Sequence, residues 1–220
     1  ALDWIVNDGG ADARIVFLGD YVDRGPESRA VLDLMIEARD LGRPWTMLLG
    51  NHEDLFLRFL KTPLDTHPRM RSDITWLSPL IGGVETLASF GVKADPSADP
   101  VAICDKARKA VPQAVRDFMT GLPRYCATDD ALFVHAGIRP GIPLAQQDPE
   151  DLIWIRHDFL DDPRDHGTLV VHGHTPVEIP CHFGNRINCD GGAGYGRPIY
   201  PVVLLGAQAY LLNHLGRSPL

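Results

Sequence analysis

The 220-residue sequence has no apolar run approaching the roughly 20 residues of a membrane-spanning helix. No signal-peptide pattern is visible. Its four cysteines form no C-x-x-C pair, and a chain of this length needs no disulfide framework. They are Cys104, Cys126, Cys181 and Cys189. We therefore expect reduced thiols, a cytoplasmic location and no membrane partner.

Positive charge is also scarce, since the chain has 21 Lys and Arg residues against 29 Asp and Glu residues, for a net charge of -8. That balance argues against a general nucleic-acid or membrane-surface binder. Internal repeats and low-complexity tracts are missing as well. The composition, 45% hydrophobic and 23% charged, is that of a globular chain long enough for one core. We expect a single domain over residues 1–220 and a monomer.

The most informative stretch runs from Ile15 to Gly25. Four apolar residues, Ile15 to Leu18, predict a buried strand, and a glycine and Asp20 follow it. A strand that ends in this way places its carboxylate at the carboxyl edge of a sheet, where open α/β sheets hold their sites. Asp20, Asp23 and Arg24 are costly beside a core strand unless a metal ion and a phosphate pair with them. The alternative is a polar turn in which Asp23 and Arg24 pair with each other.

A helix and a second strand follow this stretch. Pro26 can start the helix, and Gly42 ends it. The predicted apolar stripe consists of Val31, Leu34, Met35 and Ala38. Residues 45–49 form the next buried strand, after which come Gly50 and residues 51–54. The pattern predicts a βαβ unit with a site at its mouth.

The remaining chain reads as a helical insert over about residues 55–123, followed by more strands. A hairpin is predicted over residues 124–134, a short amphipathic segment over 151–156 and a buried strand over 168–171. Residues 186–214 alternate and are punctuated by glycine, which predicts three or four antiparallel strands of a second sheet. The fold class is therefore α/β.

Polar residues follow four of the apolar strands. They are Asp20, then Asn51 with His52, then His135, then His172 with His174. Oxygen and imidazole donors without thiolate suit Mn, Fe or Zn better than Ca or a thiolate zinc site. A bridging carboxylate such as Asp20 can hold two metals about 3.5–4 Å apart, and such a pair clamps a transferring phosphoryl group. The alternative for His135 and His174 is a structural histidine.

Four motifs in order resemble the calcineurin-like metallophosphoesterase superfamily. They are Gly19–Gly25 (GDYVDRG), Gly50–Glu53 (GNHE), His135–Gly137 (HAG) and His172–Thr175 (HGHT). The V-D-R-G ending resembles the serine/threonine phosphoprotein phosphatase family, in the style of its bacterial members. The resemblance covers nearly the whole chain. It implies a four-layer fold in which two mixed β-sheets form a central sandwich flanked by helices.

The resemblance also implies roles for individual residues. Asp20 would bridge two divalent metals, most simply Mn, with Fe or Zn as alternatives, and Asn51, His135 and His174 would complete the second metal site. Arg24, Asn51 and Arg156 would bind the phosphate, although Arg156 could equally be a solvated surface residue. His52, oriented by Asp23, would protonate the leaving oxygen, because a carboxylate raises the pKa of a histidine. His172 would support the ligand His174.

One family motif is missing from the sequence. Asp-x-His-Gly, which supplies two ligands of the first metal in this family, occurs nowhere in the chain. Leu2, Ile5 and Val6 have helical spacing, yet no N-cap precedes them. We expect that the first strand and this motif precede Ala1 in the intact protein. The alternative is a protein without its first metal site.

The resemblance implies a metal-dependent phosphatase that cleaves phosphoserine and phosphothreonine, and also phosphotyrosine, by direct attack of a metal-bound hydroxide. Its partner would be a phosphoprotein or a small phosphoester. Symmetrical hydrolysis of diadenosine tetraphosphate is an alternative with the same site. A pseudophosphatase that binds phosphoproteins without turnover is an alternative of another class. The loop Gly191–Gly196 is either a phosphate cradle or a loop near the site.

Overall fold

The computed structural model describes residues 1–206 and 208–220. The chain divides into two compact units. The first comprises residues 1–18, 43–48 and 123–220, and the second comprises residues 19–42 and 49–122. The expectation of one domain over residues 1–220 stays a prediction.

All the described strands lie in the first unit. β1 (Ile15–Phe17) and β2 (Trp45–Met47) form a parallel pair. A five-stranded sheet has the order β3-β4-β5-β7-β6, and its members are β3 (Tyr125–Ala127), β4 (Ala131–Val134), β5 (Leu169–His172), β6 (Cys181–His182) and β7 (Arg186–Asn188). β4, β5 and β7 run parallel, whereas β3 and β6 are antiparallel edges. A third, antiparallel sheet consists of β8 (Val202–Leu205), β9 (Gln208–Asn213) and β10 (Gly216–Pro219).

Apolar side chains cover both faces of the five-stranded sheet. On one face, Val171 and Ile187 pack with Ala209 of β9 and Val202 of β8, so the two sheets form a sandwich. On the other face, a second cluster joins this sheet to α7 (Pro149–Trp154) and α8 (His157–Leu160), with Phe159 fully buried. α1 (Leu2–Gly9) lies against β9. The polar ends of β4 and β5 are thereby fixed between packed layers.

The second unit is helical over its described elements. They are α2 (Ser28–Asp40), α3 (Asn51–Lys61), α4 (Gly83–Ser89), α5 (Pro100–Ala110) and α6 (Gln113–Thr120). α5 begins where the sequence provides an N-cap, since Asp99 accepts the N–H of Val101 and Pro100 occupies the first turn. Phe56 of α3 is fully buried and stacks on Trp76.

Two expectations need correction. The buried stripe of α2 is Ser28, Leu32, Met35 and Ala38, whereas Leu34 is 41% exposed, because the helical period that includes Met35 and Ala38 passes through Leu32. Strand β7 joins the five-stranded sheet by parallel pairing with β5, so the antiparallel second sheet begins only at Val202.

Two expectations about local strand order are confirmed. The strand–helix–strand order of residues 15–47 and the hairpin of β3 and β4 are present. All four cysteines lie among the described residues and carry free thiols. No helix in the described part of the chain is long and apolar enough to cross a membrane.

Candidate active site

The loop that follows β1 has a strained backbone. Asp20, Asp23 and Arg24 have φ values of 61°, 73° and 60°, in the left-handed region that non-glycine residues rarely occupy. Such positions cost on the order of 1–3 kcal/mol each and persist only where neighbouring groups hold them. Backbone strain of this kind concentrates at functional sites.

Glu53 holds this loop in place. Its fully buried carboxylate accepts the backbone N–H of Asp20 at 2.9 Å, of Tyr21 at 2.6 Å and of Gly50 at 2.9 Å. Burial, followed by the nearby charge of Asp20, raises the pKa of Glu53 to about 7, while the backbone donors oppose that rise. Glu53 thus connects the loop after β1 to the first turn of α3.

The carboxylate of Asp20 lies at the N-terminus of α3. Its Oδ1 accepts the backbone N–H of His52 at 3.2 Å, where the helix dipole favours negative charge. Gly50 makes this approach possible, since a Cβ there would collide with Asp20 and with the carboxylate of Glu53. Asn51, the first residue of α3, is buried beside them.

His52 and Asp23 form a buried pair. Nδ1 of His52 lies 2.6 Å from Oδ2 of Asp23, and the side chain of Asp23 has no exposed surface. Burial alone would lower the pKa of His52, but the carboxylates of Asp20 and Asp23 outweigh burial and raise it. A raised pKa favours the imidazolium form of His52, the form from which a histidine can donate a proton. The role of His52 as a general acid stays a prediction.

Two further side chains orient Asp23. The indole N–H of Trp76 donates to Oδ1 and Oδ2 of Asp23 at 3.2 and 3.0 Å. Thr86 donates its hydroxyl to Oδ1 at 2.7 Å and accepts the backbone N–H of Asp23 at 2.8 Å. Neither contact corresponds to a local sequence pattern, since Trp76 and Thr86 lie 53 and 63 residues after Asp23.

Arg24 lies on the same loop. Its backbone N–H donates to the carbonyl of Gly82 at 3.2 Å, and its guanidinium donates to the carbonyl of Leu80 at 3.4 Å. Gly82 has a φ of 92°, and a Cβ at this position would collide with the backbone of Arg24. The second unit thus positions five of the residues that the sequence predicted. They are Asp20, Asp23, Arg24, Asn51 and His52.

The first unit positions the predicted histidines. His135 follows β4 and is buried, and its Nδ1 donates to the carbonyl of Leu18 at 2.7 Å. A carbonyl can only accept, so Nδ1 carries the proton and Nε2 presents its lone pair. That lone pair lies 3.2 Å from Nδ1 of His174. A backbone carbonyl that fixes the tautomer of a histidine is a common arrangement around metal ligands.

His174 has a φ of 65° and lies two residues beyond β5. The Nε–H of Arg156 donates to its Nε2 at 3.1 Å, and the ring of Trp154 lies edge-on to it. Arg156 therefore contacts a predicted metal ligand. The role of Arg156 in phosphate binding stays a prediction, as do the other predicted roles.

His172 is fully buried and lies two residues before His174. Its Nδ1 donates to the carbonyl of Gly173 at 3.1 Å, and its ring lies edge-on to Phe159. Burial lowers its pKa to about 3, with smaller contributions from Arg186 and His135, so the ring is neutral at physiological pH. Its role in supporting His174 stays a prediction.

Residues 1–198 match the calcineurin-like phosphoesterase family. The chain belongs to this family. The asymmetrical bis(5'-nucleosyl)-tetraphosphatase PrpE of Anoxybacillus flavithermus is 26% identical over 202 residues, which cover 83% of this chain and 72% of the relative. The enzyme with the same name from Geobacillus thermodenitrificans is 25% identical, with the same coverage.

A solved structure also resembles the chain. The cold-active protein-tyrosine phosphatase of a psychrophilic Shewanella has a TM-score of 0.58 at 16% identity, covering 96% of this chain and 70% of that one. This likeness confirms the mixed α/β fold of the family. The family match alone places the chain among the calcineurin-like phosphoesterases.

Proposed function

We propose that this chain hydrolyses phosphate monoesters, with His52 as the general acid and phosphoserine and phosphothreonine among its substrates. The observation that carries the proposal is the buried hydrogen-bonded pair of His52 and Asp23. The carboxylates of Asp20 and Asp23 together raise the pKa of His52. A protonated imidazole near neutral pH can donate to a departing alkoxide. The chain acts as a monomer on a phosphoprotein or a small phosphoester.

Leaving-group chemistry supports this choice. A serine alkoxide is a strong base and leaves poorly without a proton, whereas phosphate groups, with a second pKa of about 6, leave readily. A histidine that is fixed and protonated contributes most where the leaving group is an alkoxide. Arg24, with its planar guanidinium, suits the oxygens of the phosphoryl group.

The metal ligands in this proposal are Asp20, Asn51, His135 and His174. The two histidines fit a transition metal, because Nε2 of His135 and Nδ1 of His174 lie 3.2 Å apart and the carbonyl of Leu18 fixes the tautomer of His135. Divalent metals at such sites lower the pKa of water and neutralise phosphoryl charge. We propose Mn as the native metal, with Fe or Zn as alternatives that suit the same donors.

The test compares His52→Asn with the intact protein on two substrates. Turnover of a phosphoserine peptide should fall by about 10²–10⁴-fold, which is the usual contribution of general acid catalysis. Turnover of an activated aryl phosphate should fall far less, because its leaving group needs little protonation. Exposed His157 provides the control, and His157→Asn should leave both rates unchanged. Equal losses on the two substrates would remove His52 from this role.

Metal analysis separates an enzyme from a pseudophosphatase. The intact gene product should bind two metals per chain and turn over phosphoesters. Binding of a phosphopeptide without turnover, at one metal or none, would favour the binding module.

A second candidate is hydrolysis of dinucleoside tetraphosphates. The observation in its favour is that both curated relatives are bis(5'-nucleosyl)-tetraphosphatases. The sequence alone suggested symmetrical cleavage, whereas both relatives are named asymmetrical. Side-by-side rates on diadenosine tetraphosphate and on a phosphoserine peptide decide between the candidates, and the nucleotide products show the position of cleavage.

A further inference from the structure

An open cavity of about 780 Å³ lies in the first unit, directly after His174 in the chain. Its lining is Pro176, Val177, Glu178, Tyr195 and Arg197. A smaller recess of about 280 Å³ shares Glu178 and Arg197 and extends to Tyr200. Cavities of roughly 300–1,000 Å³ take small-molecule ligands. The size therefore suits a ligand much larger than a phosphate ion.

The cavity walls are built on the ends of β5 and β7. One wall is the segment 175–180 and the other is the segment 189–200. Asn188 donates to the carbonyl of Thr175 at 2.8 Å, and the backbone N–H of Val177 donates to the carbonyl of Asp190 at 2.9 Å. Arg197 donates to the carbonyl of Val177 at 3.1 Å, which ties the far end of the second wall to the first.

The glycine-rich loop shapes the second wall. Gly192 and Gly196, both with a φ of 81°, flank the single 3₁₀ turn Ala193–Tyr195. A Cβ on Gly192 would crowd the side chain of Arg197. The loop therefore presents Tyr195 and Arg197 at the cavity, and Tyr195 is 63% exposed.

Two opposite charges face the cavity. Glu178 and Arg197 both line it, yet neither forms an ion pair with any residue that the structure describes. The arrangement keeps one acceptor and one fork-shaped donor available for different parts of a ligand.

We propose that this cavity binds the nucleoside phosphate portion of a dinucleoside polyphosphate substrate, an inference that rests on the second candidate function. The face of Tyr195 would stack on the base, because stacking on an aromatic ring tolerates every base. Arg197 would bind a phosphate beyond the scissile one. Glu178 would accept from a ribose hydroxyl, as acidic residues do in dinucleotide sites.

Calorimetric titration of the metal-loaded protein tests the site. The probes are α,β-methylene-ADP, which resists hydrolysis, and methylenediphosphonate, which lacks the nucleoside. α,β-Methylene-ADP should bind about tenfold more tightly than methylenediphosphonate, which is the order of magnitude that base stacking contributes. Tyr195→Ala should abolish this increase in affinity, whereas Tyr195→Phe, which keeps the aromatic ring, should retain it. Tyr125, 41% exposed on β3 of the same unit, provides the matched control, and Tyr125→Ala should leave the increase intact.

The outcomes separate this inference from the proposed functions. If the protein hydrolyses phosphoesters but binds α,β-methylene-ADP no more tightly than methylenediphosphonate, the inference is overturned and the phosphatase function still stands. If the nucleoside increases affinity in a way that depends on Tyr195, but the protein hydrolyses no phosphoester, the cavity assignment is supported and the enzymatic function is overturned. The assignment would also be overturned if Tyr195→Ala lowered the affinity for a phosphoserine peptide but not the affinity for the nucleotide.

Discussion

Trp76 and His52 contact the same carboxylate oxygen. The indole N–H of Trp76 lies 3.0 Å from Oδ2 of Asp23, and Nδ1 of His52 lies 2.6 Å from that oxygen. All three side chains are buried, so solvent competes little for these bonds. Trp76 therefore restricts the orientation of Asp23, and through Asp23 the orientation of His52.

Trp76→Phe should lower turnover of a phosphoserine peptide by about tenfold, a fraction of the 10²–10⁴-fold that acid catalysis supplies. Phe retains an aromatic ring, smaller than the indole that stacks on Phe56 at 4.8 Å, but removes the N–H. The loss should shrink as the leaving group becomes less basic, which a series of aryl phosphates measures. Trp45→Phe, at a ring that packs on Phe17, is the control. A loss that does not vary along this series would show that Trp76 acts only through packing.

Asp23→Asn should shift the basic limb of the pH profile to lower pH. The carboxylate of Asp23 helps to raise the pKa of His52. The acid form of His52 is present below its pKa and is lost as the pH rises through it, so a lower pKa brings that loss at lower pH. The measurement is kcat/KM for a phosphoserine peptide against pH. If the basic limb of the profile does not move, it reports the titration of a group other than His52.

Glu53→Gln should lower the free energy of unfolding by about 1–3 kcal/mol. Oε2 of Glu53 accepts two backbone N–H groups and Oε1 accepts one, so an amide N–H₂ in place of either oxygen would leave at least one of these donors buried without an acceptor. Thermal unfolding of this variant measures the effect, with the exposed Glu85→Gln as control. Equal melting temperatures for the two variants would contradict the role assigned to Glu53.

Mn²⁺ should raise the melting temperature of chelator-treated protein, because a ligand that binds only the folded state stabilises it by about 2.7 kcal/mol at 100 times its Kd. His174→Ala should remove most of this increase, since it deletes one of two imidazole nitrogens that lie 3.2 Å apart. Exposed His157→Ala should keep it. Full Mn²⁺ stabilisation of His174→Ala would exclude His174 as a ligand.

Much of the fold could be predicted from short-range patterns. The apolar runs before Gly19 and Gly50 gave β1 and β2, and the turn at residues 129–130 gave the hairpin of β3 and β4. Sheet membership could not be predicted in this way. β7 reads as a tail strand, but it pairs with β5, because pairing depends on which edge is available and not on the strand's own sequence.

The chemistry of the candidate residues was also visible in the sequence, whereas their supports were not. Asp23 and His52 stood out as a carboxylate and an imidazole in motifs. Trp76 and Thr86, separated from Asp23 by 53 and 63 residues, carry no local pattern that points to it.

The sequence by itself determined which side chains carry reactive groups, because residue types and their positions at strand ends are local properties. Tertiary structure decided how these groups are held. The carboxylate of Glu53 fixes a strained loop that lies 32 residues or more before it. Such contacts follow from chain packing, since only packing brings residues so far apart in sequence within hydrogen-bond distance.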